Sequence, residues 1–325
     1  MESAEITARC CSLPLQRAIT DFGADNAFGQ VPHKLKEHYG IEISVSTTRR
    51  ITEHHGEQML EEQDAADAEN IGLKSKGSKV IVAEIDGCMV PVVKEDVEAL
   101  DKRKGKTVAW KEARLALAHQ KGSVSPLFRA NLGGSTDDAG WNLRQCAISA
   151  GLGKQSQVHV VGDGAPWIAE QVEDKFGNQA SYLIDFYHVC KYLAETAKIC
   201  APHQPQKWIE TQKQRLKNNE YQKVLSNLNT HLQSVEMREG KDAVEKCYQY
   251  LGRRINYLDY KGAIEQSLPI GSGEIESAHR YVIQKRLKLP GAWWTVENIK
   301  RMLALRVLRA NGDWSHYWGQ LYEAA

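Results

Sequence analysis

The chain has 325 residues, 42% of them hydrophobic and 26% charged, with a formal net charge of +1, values typical of a soluble globular protein with one large domain or two. No apolar run approaches the roughly 20 residues of a membrane helix, and the first residues, MESAEITARC, lack a basic and then hydrophobic leader, so a cytoplasmic protein is expected. The near-neutral charge gives no global signal for nucleic acid, and the seven cysteines, scattered without a CxxC pair, are expected to be reduced thiols.

Residues 1–56 are predicted to form a helical module. The three segments with helical periodicity are LPLQRAITDFG, AFGQVPHKLKEHYG and SVSTTRRITEHHG, and a glycine is expected to end each of them. Two short helices followed by a third that carries Arg49 and Arg50 match the outline of a helix-turn-helix DNA-binding module. A plain helical bundle fits the same spacing. Residues 57–78, first acidic and then rich in Gly, Ser and Lys, are predicted to be a helical connector that ends in a loop.

Residues 79–189 change to a pattern of strands and are predicted to be the first part of an α/β core. The expected strands are KVIVAEID with its extension MVPVVK, TVAWKEARLALAHQ, SPLFRANLG, QVHVVGD and ASYLIDFYHV, with DKRKGK as a charged loop. The expected helices are AGWNLRQCAISAGLG and APWIAEQVEDKFG. The order β, β, β, α, β, α, β predicts a mixed sheet covered by helices, because parallel neighbours need helical crossovers.

The rest of the chain is predicted to be helical. Residues 190–268 show helical periodicity with polar faces and no strand pattern, which indicates an all-helical insertion after the sheet. Residues 269–325 return to the core through a glycine-bracketed turn and helix, LPIGSGEIESAHRYVIQKRLKL, followed by the helix TVENIKRMLALRVLRANG and a Trp-rich tail.

Two aspartates each follow an apolar strand and precede a glycine: Asp86 in EIDG and Asp163 in VGDG. The carboxyl ends of strands meet at a crevice in an open sheet, and two aspartates there repel each other unless a cation lies between them. Oxygen ligands favour Mg²⁺, which suits phosphate substrates. Alternatively, each aspartate only starts a turn or caps a helix. A third carboxylate is expected from GSGEIESAH, where spacing does not choose between Glu274 and Glu276 and where two glutamates also suit a helix N-terminus.

These segments also resemble a known family. The succession EIDG, VVGDGAPWIAEQVEDKFG, YLIDFYHVCKYL and PIGSGEIESAHRYVIQKRLKLPGAWW closely resembles bacterial insertion-sequence transposases of the Kra type, relatives of Mutator-like elements. The resemblance runs from about Leu13 to the C-terminus. It implies a ribonuclease H-like mixed sheet with an Asp, Asp, Glu triad and a helical insertion before the Glu. Matched residue by residue, the triad is Asp86, Asp163 and Glu276.

The same resemblance implies further roles. The family's DxxH signature corresponds to Asp185 and His188, at the end of YLIDFYH, with His188 orienting a phosphate or the DNA strand and Asp185 as its partner. Two Mg²⁺ ions, with Mn²⁺ as an alternative, are implied at the triad, where a homodimer bound to double-stranded DNA in the nucleoid would cut the element's inverted repeats and join them to a target. Family members often carry additional N-terminal sequence with metal-binding cysteines, so a start at MESAEITARCC is expected to mark a shortened copy.

Basic residues concentrate near the C-terminus. Between His279 and Ala310 the chain has one acid, Glu297, and eight basic residues: Arg280, Lys285, Arg286, Lys288, Lys300, Arg301, Arg306 and Arg309. Such a patch predicts salt-sensitive binding to DNA phosphates, the alternative being a solvated helix face. Four tryptophans can stack on an unpaired base, with core packing expected for the first two: Trp110, Trp167, Trp293 and Trp294.

The sequence therefore predicts a DDE transposase that cuts and joins DNA. One alternative is a domesticated or truncated copy that binds DNA without catalysis, and another is a ribonuclease H-like nuclease without strand transfer. A glycoside hydrolase with paired carboxylates is disfavoured, because it needs neither a basic patch nor a helix-turn-helix module.

Overall fold

The structure is a computed structural model that describes residues 11–68, 72–95, 105–234 and 241–324. Over these residues it is a mixed α/β fold with a five-stranded sheet, so the predicted α/β class with a mixed sheet is confirmed. A π-helical stretch, His279–Gln284, joins the helices Gly273–Ala278 and Lys285–Leu287. In chain order the helices and strands are α1 Leu13–Asp25, α2 Val31–Tyr39, α3 Val45–Ala68, β1 Val80–Glu95, β2 Lys106–Gln120, β3 Leu127–Leu132, α4 Thr136–Ser149, β4 Gln157–Gly162, α5 Pro166–Phe176, β5 Ala180–Ile184, α6 Phe186–Cys200, α7 Pro205–Lys217, α8 Tyr221–Ser234, α9 Lys241–Gly252, α10 Tyr260–Glu265, α11 Gly273–Ala278, α12 Lys285–Leu287, α13 Val296–Ala310 and α14 Trp314–Glu323.

The sheet has the strand order β3-β2-β1-β4-β5. Strands β1, β2 and β3 form an antiparallel meander, whereas β4 runs parallel to β1 and β5 runs parallel to β4. The first three strands follow one another without helices, and α5 makes the crossover between the parallel pair β4 and β5. The predicted order of elements in the core is therefore confirmed.

The two faces of the sheet pack against different helices. Ile81, Ala83 and Ile85 of β1 belong to the core beneath α4 and α5. Val90 and Val92 belong to the core with α11 to α14 on the opposite face. Because side chains alternate along a strand, the even-numbered residues of β1 that lie between these groups face the C-terminal helices.

Strand β1 does not end at the first aspartate, contrary to the sequence prediction. It continues through Asp86 to Glu95, paired all along with β2. Only its parallel pairing with β4 stops, at the pair Glu84 and Val161. Asp86 therefore lies at the point where the neighbouring strand ends, which leaves this edge of β1 open.

The N-terminal helices pack on the C-terminal helices, and two glycines predicted to end helices lie inside them instead. Helix α1 continues past Gly23 to Asp25, and α3 continues past Gly56 to Ala68. A Cβ at Gly56 would lie 2.8 Å from the main-chain oxygen of Arg301 in α13, so this glycine permits a close helix crossing. Gly40 does end α2, with φ of 67°.

The segment after β5 is helical as predicted. The described residues of 190–268 form helices, α6 to α10, and no strand. The apolar side chains of these helices share a core with Leu183 and Ile184 of β5. The predicted loop DKRKGK falls mostly outside the described residues. Among the described helices, none combines the length and the apolarity needed to cross a membrane.

Candidate active site at the sheet edge

The two predicted aspartates lie at the same level on neighbouring strands. Glu84 of β1 pairs with Val161 of β4. Asp86 lies two residues after Glu84 in β1, and Asp163 lies two residues after Val161, just past the end of β4, so the register brings them to one edge of the sheet. The Oδ1 atom of Asp163 accepts the N–H of Ala165 at 2.8 Å, ahead of α5. Asp163 thus starts the turn before α5, which is the structural role that the sequence analysis gave as an alternative. It also lies beside the open edge of β1.

The pKa of Asp86 is affected by both of the other predicted carboxylates, Asp163 and Glu276. The pKa of Asp86 is raised to about 6, mainly because the group is largely buried, and the negative charges of Asp163, Glu276 and Glu112 raise it further. The N–H of Gly87, which donates to Asp86 Oδ1 at 2.7 Å, acts in the opposite direction. Three acidic groups from separate parts of the chain therefore meet where their charges repel.

The structure distinguishes the two glutamates that spacing left open. Glu274 points towards β2, where its Oε2 lies 3.1 Å from His119 Nε2. Glu276 is close enough to Asp86 to raise its pKa, and its Oε1 lies 4.0 Å from Lys191 Nζ. Of the two, Glu276 is thus placed to act together with Asp86.

The carboxylates suit a divalent cation by their chemistry, but their side chains do not form a closed ligand group. Among the described residues, no three or more His, Cys, Asp and Glu side chains converge closely enough to hold a metal ion. Asp86, Asp163 and Glu276 offer only oxygen donors, the kind that Mg²⁺ prefers. Burial first, and then the negative charges of Asp163 and Glu276, raise the pKa of Asp86, and a bound cation would offset that negative charge.

The helical insertion fastens the loop that carries Asp163. The hydroxyl of Tyr250, in α9, donates to the main-chain oxygen of Asp163 at 2.6 Å, and Arg254 Nε donates to the oxygen of Gly164 at 2.7 Å. Gly164 has φ of 87°, and a Cβ at this position would collide with the Tyr250 hydroxyl. The insertion therefore fixes the main chain beside the second aspartate.

Asp185 and His188 do not pair in the way the sequence analysis expected. Strand β5 ends at Ile184, and Asp185 caps α6, its Oδ1 accepting the N–H groups of Tyr187 at 2.6 Å and His188 at 3.1 Å. Its Oδ2 accepts the N–H and the hydroxyl of Ser272, at 3.1 and 2.5 Å. The predicted partnership with the imidazole is therefore wrong, because the buried carboxylate is committed to main-chain groups and to the Gly-Ser-Gly turn.

The ring of His188 lies in an aromatic cluster next to the Asp163 loop. Its centroid is 5.6 Å from that of Tyr192 and 5.9 Å from that of Tyr250, the residue that donates to the Asp163 oxygen. His188 is thus one side chain removed from the candidate site.

Two polar groups of the site were missed by the sequence analysis. Glu84 is buried and accepts the N–H of Ile275, and burial first, then nearby acids, raise its pKa to about 8. His279, in the π-helical stretch, has its Nε2 3.5 Å from Asp86 Oδ2, and burial lowers its pKa to about 4, so the ring is neutral. The available signal for Glu84 was a glutamate inside an apolar strand, two residues before Asp86 and therefore on the same face. The signal for His279 was its position, one helical turn after Glu276.

The predicted basic patch divides into exposed and buried residues. Arg286 is 2% exposed, its Nε donates to the oxygen of Gly23 at 3.0 Å, and its guanidinium lies 4.7 Å from the rings of Phe28 and Trp294. Its assignment to DNA binding is therefore wrong: it is a core residue, with a pKa lowered by burial to about 10. Arg301 is half-buried and ion-paired with Glu57, whereas four of the predicted residues are exposed: Arg280, Lys285, Lys288 and Lys300.

Arg49 and Arg50 are exposed on α3, and Arg49 Nε lies 3.9 Å from Glu53 Oε1. The tryptophans differ from expectation. Trp110 is 58% exposed on the part of β2 that pairs with β1 but not with β3, so the expected core position is wrong. Trp293 is equally exposed, but Trp294 is 5% exposed in the core and cannot stack on a base.

Comparison with known proteins places the similarity in the second half of the chain. The sequence model of a family described as an uncharacterised protein family, UPF0236, matches residues 150–319, just over half of the chain. UPF0236 protein TTE0610/TTE0881/TTE1053/TTE2432 and UPF0236 protein TTE1650/TTE2708, both from Caldanaerobacter subterraneus subsp. tengcongensis, are each 28% identical over 163 residues. These matches cover 49% of this chain and 32% and 30% of the relatives, so the matched part spans about a third of their length.

Proposed function

The chain belongs to the UPF0236 family of uncharacterised proteins, and from this premise we propose that it is a DDE transposase with a ribonuclease H-like core, which cuts DNA at the ends of an insertion sequence and joins those ends to a target. The observation that carries the proposal is the strand register that brings Asp86 and Asp163 to one edge of the sheet, with Glu276 close enough to raise the pKa of Asp86. Three carboxylates placed together at a sheet edge suit metal-dependent phosphodiester chemistry, in which a cation offsets their negative charge.

The arrangement of the sheet supports the same proposal. Strands in the order β3-β2-β1-β4-β5 agree with the mixed sheet that the Kra-type resemblance implies. The helical insertion lies between β5 and α11, and therefore directly before Glu276, as that resemblance requires.

Asp86, Asp163 and Glu276 would hold two Mg²⁺ ions, or Mn²⁺ ions in their place. When bound, the metal would supply Lewis acidity to the scissile phosphate and to the attacking water or 3′ hydroxyl. The chain's own part is positional. Tyr250 fixes the main chain at Asp163, and neutral His279 lies against Asp86 without adding a positive charge that would compete with the cation.

The DNA partner is assigned to the exposed basic residues. Arg280, Lys285, Lys288 and Lys300 follow Glu276 in the chain and are free of the burial that removes Arg286 from the patch. Neutralising phosphates with these side chains would make binding salt-sensitive. Arg49 and Arg50 on α3 are the second candidate contact, and a homodimer on double-stranded DNA is the proposed assembly.

The test uses the full chain and a duplex that carries the inverted repeats flanking its reading frame. We expect nicking at the repeat end that requires Mg²⁺, followed by joining of the 3′ end to a target duplex. Asp163→Asn should abolish both steps, whereas Asp313→Asn, an exposed aspartate ahead of α14, should leave them unchanged. Nicking without joining would indicate a nuclease, and cleavage that survives Asp163→Asn would refute the assignment of the site.

A second candidate is a DNA-binding protein without catalysis. It is favoured by one observation, the lack of a converged metal-binding group among the described side chains. Salt-sensitive binding to the inverted repeats with no cleavage in Mg²⁺ or Mn²⁺ would select it over the transposase.

A further inference from the structure

Glu84 is a buried carboxylate beside the candidate site that the proposed chemistry does not use. Its side chain is 1% exposed, and it shares a face of β1 with Asp86, two residues further on. Its Oε2 accepts the N–H of Ile275 at 2.8 Å. Because Ile275 immediately precedes Glu276 in α11, this bond joins β1, which carries Asp86, to the first turn of the helix that carries Glu276.

The helix that presents Glu276 depends on such acceptors. The first N–H groups of a helix have no partner within it, and Ser272, at the N-cap of α11, makes no side-chain cap. Glu84 supplies an acceptor at Ile275, and Asp185 holds Ser272 by two hydrogen bonds. The start of α11 is therefore fixed at two points by buried carboxylates, one within β1 and one directly after β5.

The side chain of Glu276 has little else to define its place. It is exposed, and the nearest ion-pair partner that the described residues offer is Lys191, at 4.0 Å. The position of Glu276 relative to Asp86 therefore depends on where the main chain of α11 lies. Burial first, and then the negative charges of Glu274, Asp185 and Glu276, raise the pKa of Glu84, so the ionised side chain is costly at this position.

We propose that Glu84 is a positioning residue that sets Glu276 against Asp86 by bonding the N–H of Ile275. The inference rests on the proposed function, in which the spacing of the carboxylates decides the rate. Displacing a reacting group by about 1 Å costs roughly a hundredfold in rate, so a small shift of α11 would be measurable.

Three variants of the full chain separate positioning from general stability. Glu84→Gln keeps an acceptor oxygen of similar reach, and Glu84→Ala removes it. Val82→Ala is the matched control: Val82 is 2% exposed on the same face of β1, so its truncation weakens the core and leaves the Glu84 carboxyl group in place. The measurements are hydrogen exchange of residues 272–278 and the kcat and KM of Mg²⁺-dependent cleavage.

We expect Glu84→Ala to speed amide exchange at Ile275 by about tenfold, as the loss of one hydrogen bond allows. It should also lower kcat by roughly a hundredfold with little change in KM for DNA. Glu84→Gln should restore both quantities to near the wild-type values. Val82→Ala should lower Tm while leaving exchange at Ile275 and kcat close to those of the wild type.

Three results would overturn the inference. Unchanged exchange in Glu84→Ala would show that the bond does not anchor the helix. A Gln variant as slow as the Ala variant would show that the carboxyl group itself is required, as for a metal ligand, and not only an acceptor oxygen. An equal loss of kcat in Val82→Ala would reduce the effect to lost stability. A wild-type chain that binds DNA without cutting it would refute the proposed function, and the exchange data would still decide whether Glu84 anchors α11.

Discussion

Basic side chains around the C-terminal helices serve two purposes, and burial separates them. Arg286 lies between two aromatic rings and donates to a main-chain oxygen of α1. Arg306 is 7% exposed, donates to the oxygen of Val282 at 3.1 Å and pairs with Asp25. Both therefore tie helices together, whereas Lys288 and Lys300 project into solvent and can reach a phosphate.

Arg286 and Lys288 should respond oppositely to substitution. Arg286→Met should lower the free energy of unfolding by about 2–4 kcal/mol, because it leaves the buried oxygen of Gly23 without its donor, and should spare the DNA affinity of the folded protein. Lys288→Ala should leave Tm unchanged, weaken DNA binding and reduce the slope of log K against log salt by about 1. Urea titrations and binding at several salt concentrations check both. A loss of DNA affinity in folded Arg286→Met would contradict its core role.

Glu84 should make stability depend on pH. Its pKa is raised from 4.5 to about 8 in the folded chain, so the proton it keeps stabilises the fold fully below pH 4.5, and this contribution is lost as the pH rises through 8. Glu84→Gln, which stays neutral, should therefore gain stability over the wild type as the pH rises above 4.5, reaching on the order of 5 kcal/mol once the pH exceeds 8. Denaturant unfolding in EDTA at pH 5 and pH 8.5 measures it. A stabilisation of the same size at both pH values would contradict this account.

Helices α3 and α13 approach closely because one of them carries a glycine at the crossing. Gly56 faces the main chain of Arg301, and His55, its neighbour, contacts the Tyr317 hydroxyl through Nδ1 at 2.8 Å. The crossing joins the N-terminal helices to the helices that cover the sheet. Contacts between elements, rather than the termination of a helix, thus account for this glycine.

Two glycines inside helices should differ in their response to alanine. Alanine gains about 1 kcal/mol of helix propensity over glycine. At Gly319 of α14 nothing lies within 4 Å of the added Cβ, so Gly319→Ala should be stabilising by that amount. At Gly56 the Cβ would lie 2.8 Å from a main-chain oxygen, and overpacking of about 1–3 kcal/mol should outweigh the gain. Thermal unfolding of the two variants decides, and a stabilised Gly56→Ala would refute the close crossing.

Strand β1 links the two halves of the whole molecule. It lies between β2 and β4, and its two faces contribute to the cores beneath α4 and α5 and beneath the C-terminal helices. It also carries Asp86 and Glu84, so the candidate site needs residues from both halves. The family match, residues 150–319, includes Asp163 and Glu276 but not this strand.

The matched segment should therefore fail to fold alone. A fragment of residues 150–319 lacks β1, the hydrogen-bonding partner of β4, and would expose both that strand edge and the apolar faces of α11 and α13. We expect no cooperative thermal transition from the fragment, in contrast to the full chain. Circular dichroism and calorimetry provide the comparison, and a cooperative transition in the fragment would show that the half-sheet is an independent unit.

The local pattern was sufficient to predict the order of the core elements and the level at which two aspartates meet. Strand and helix periods differ, and each can be read within about ten residues, so the order of β and α elements required no knowledge of their packing. Asp86 and Asp163 follow apolar strand segments, and parallel neighbours align such positions at one edge. The helical insertion was equally visible, because its apolar residues repeat at helical spacing throughout.

Only the tertiary structure decided which charged and aromatic groups face solvent and which carboxylate serves which partner. The burial of Arg286 and the exposure of Trp110 depend on what the neighbouring elements cover, and a helix or strand period does not contain that information. Asp185 bonds Ser272 and Glu84 bonds Ile275 across long stretches of chain. A buried polar group takes its partner from the fold rather than from its sequence neighbours, since the partner must be close in space to offset the loss of water.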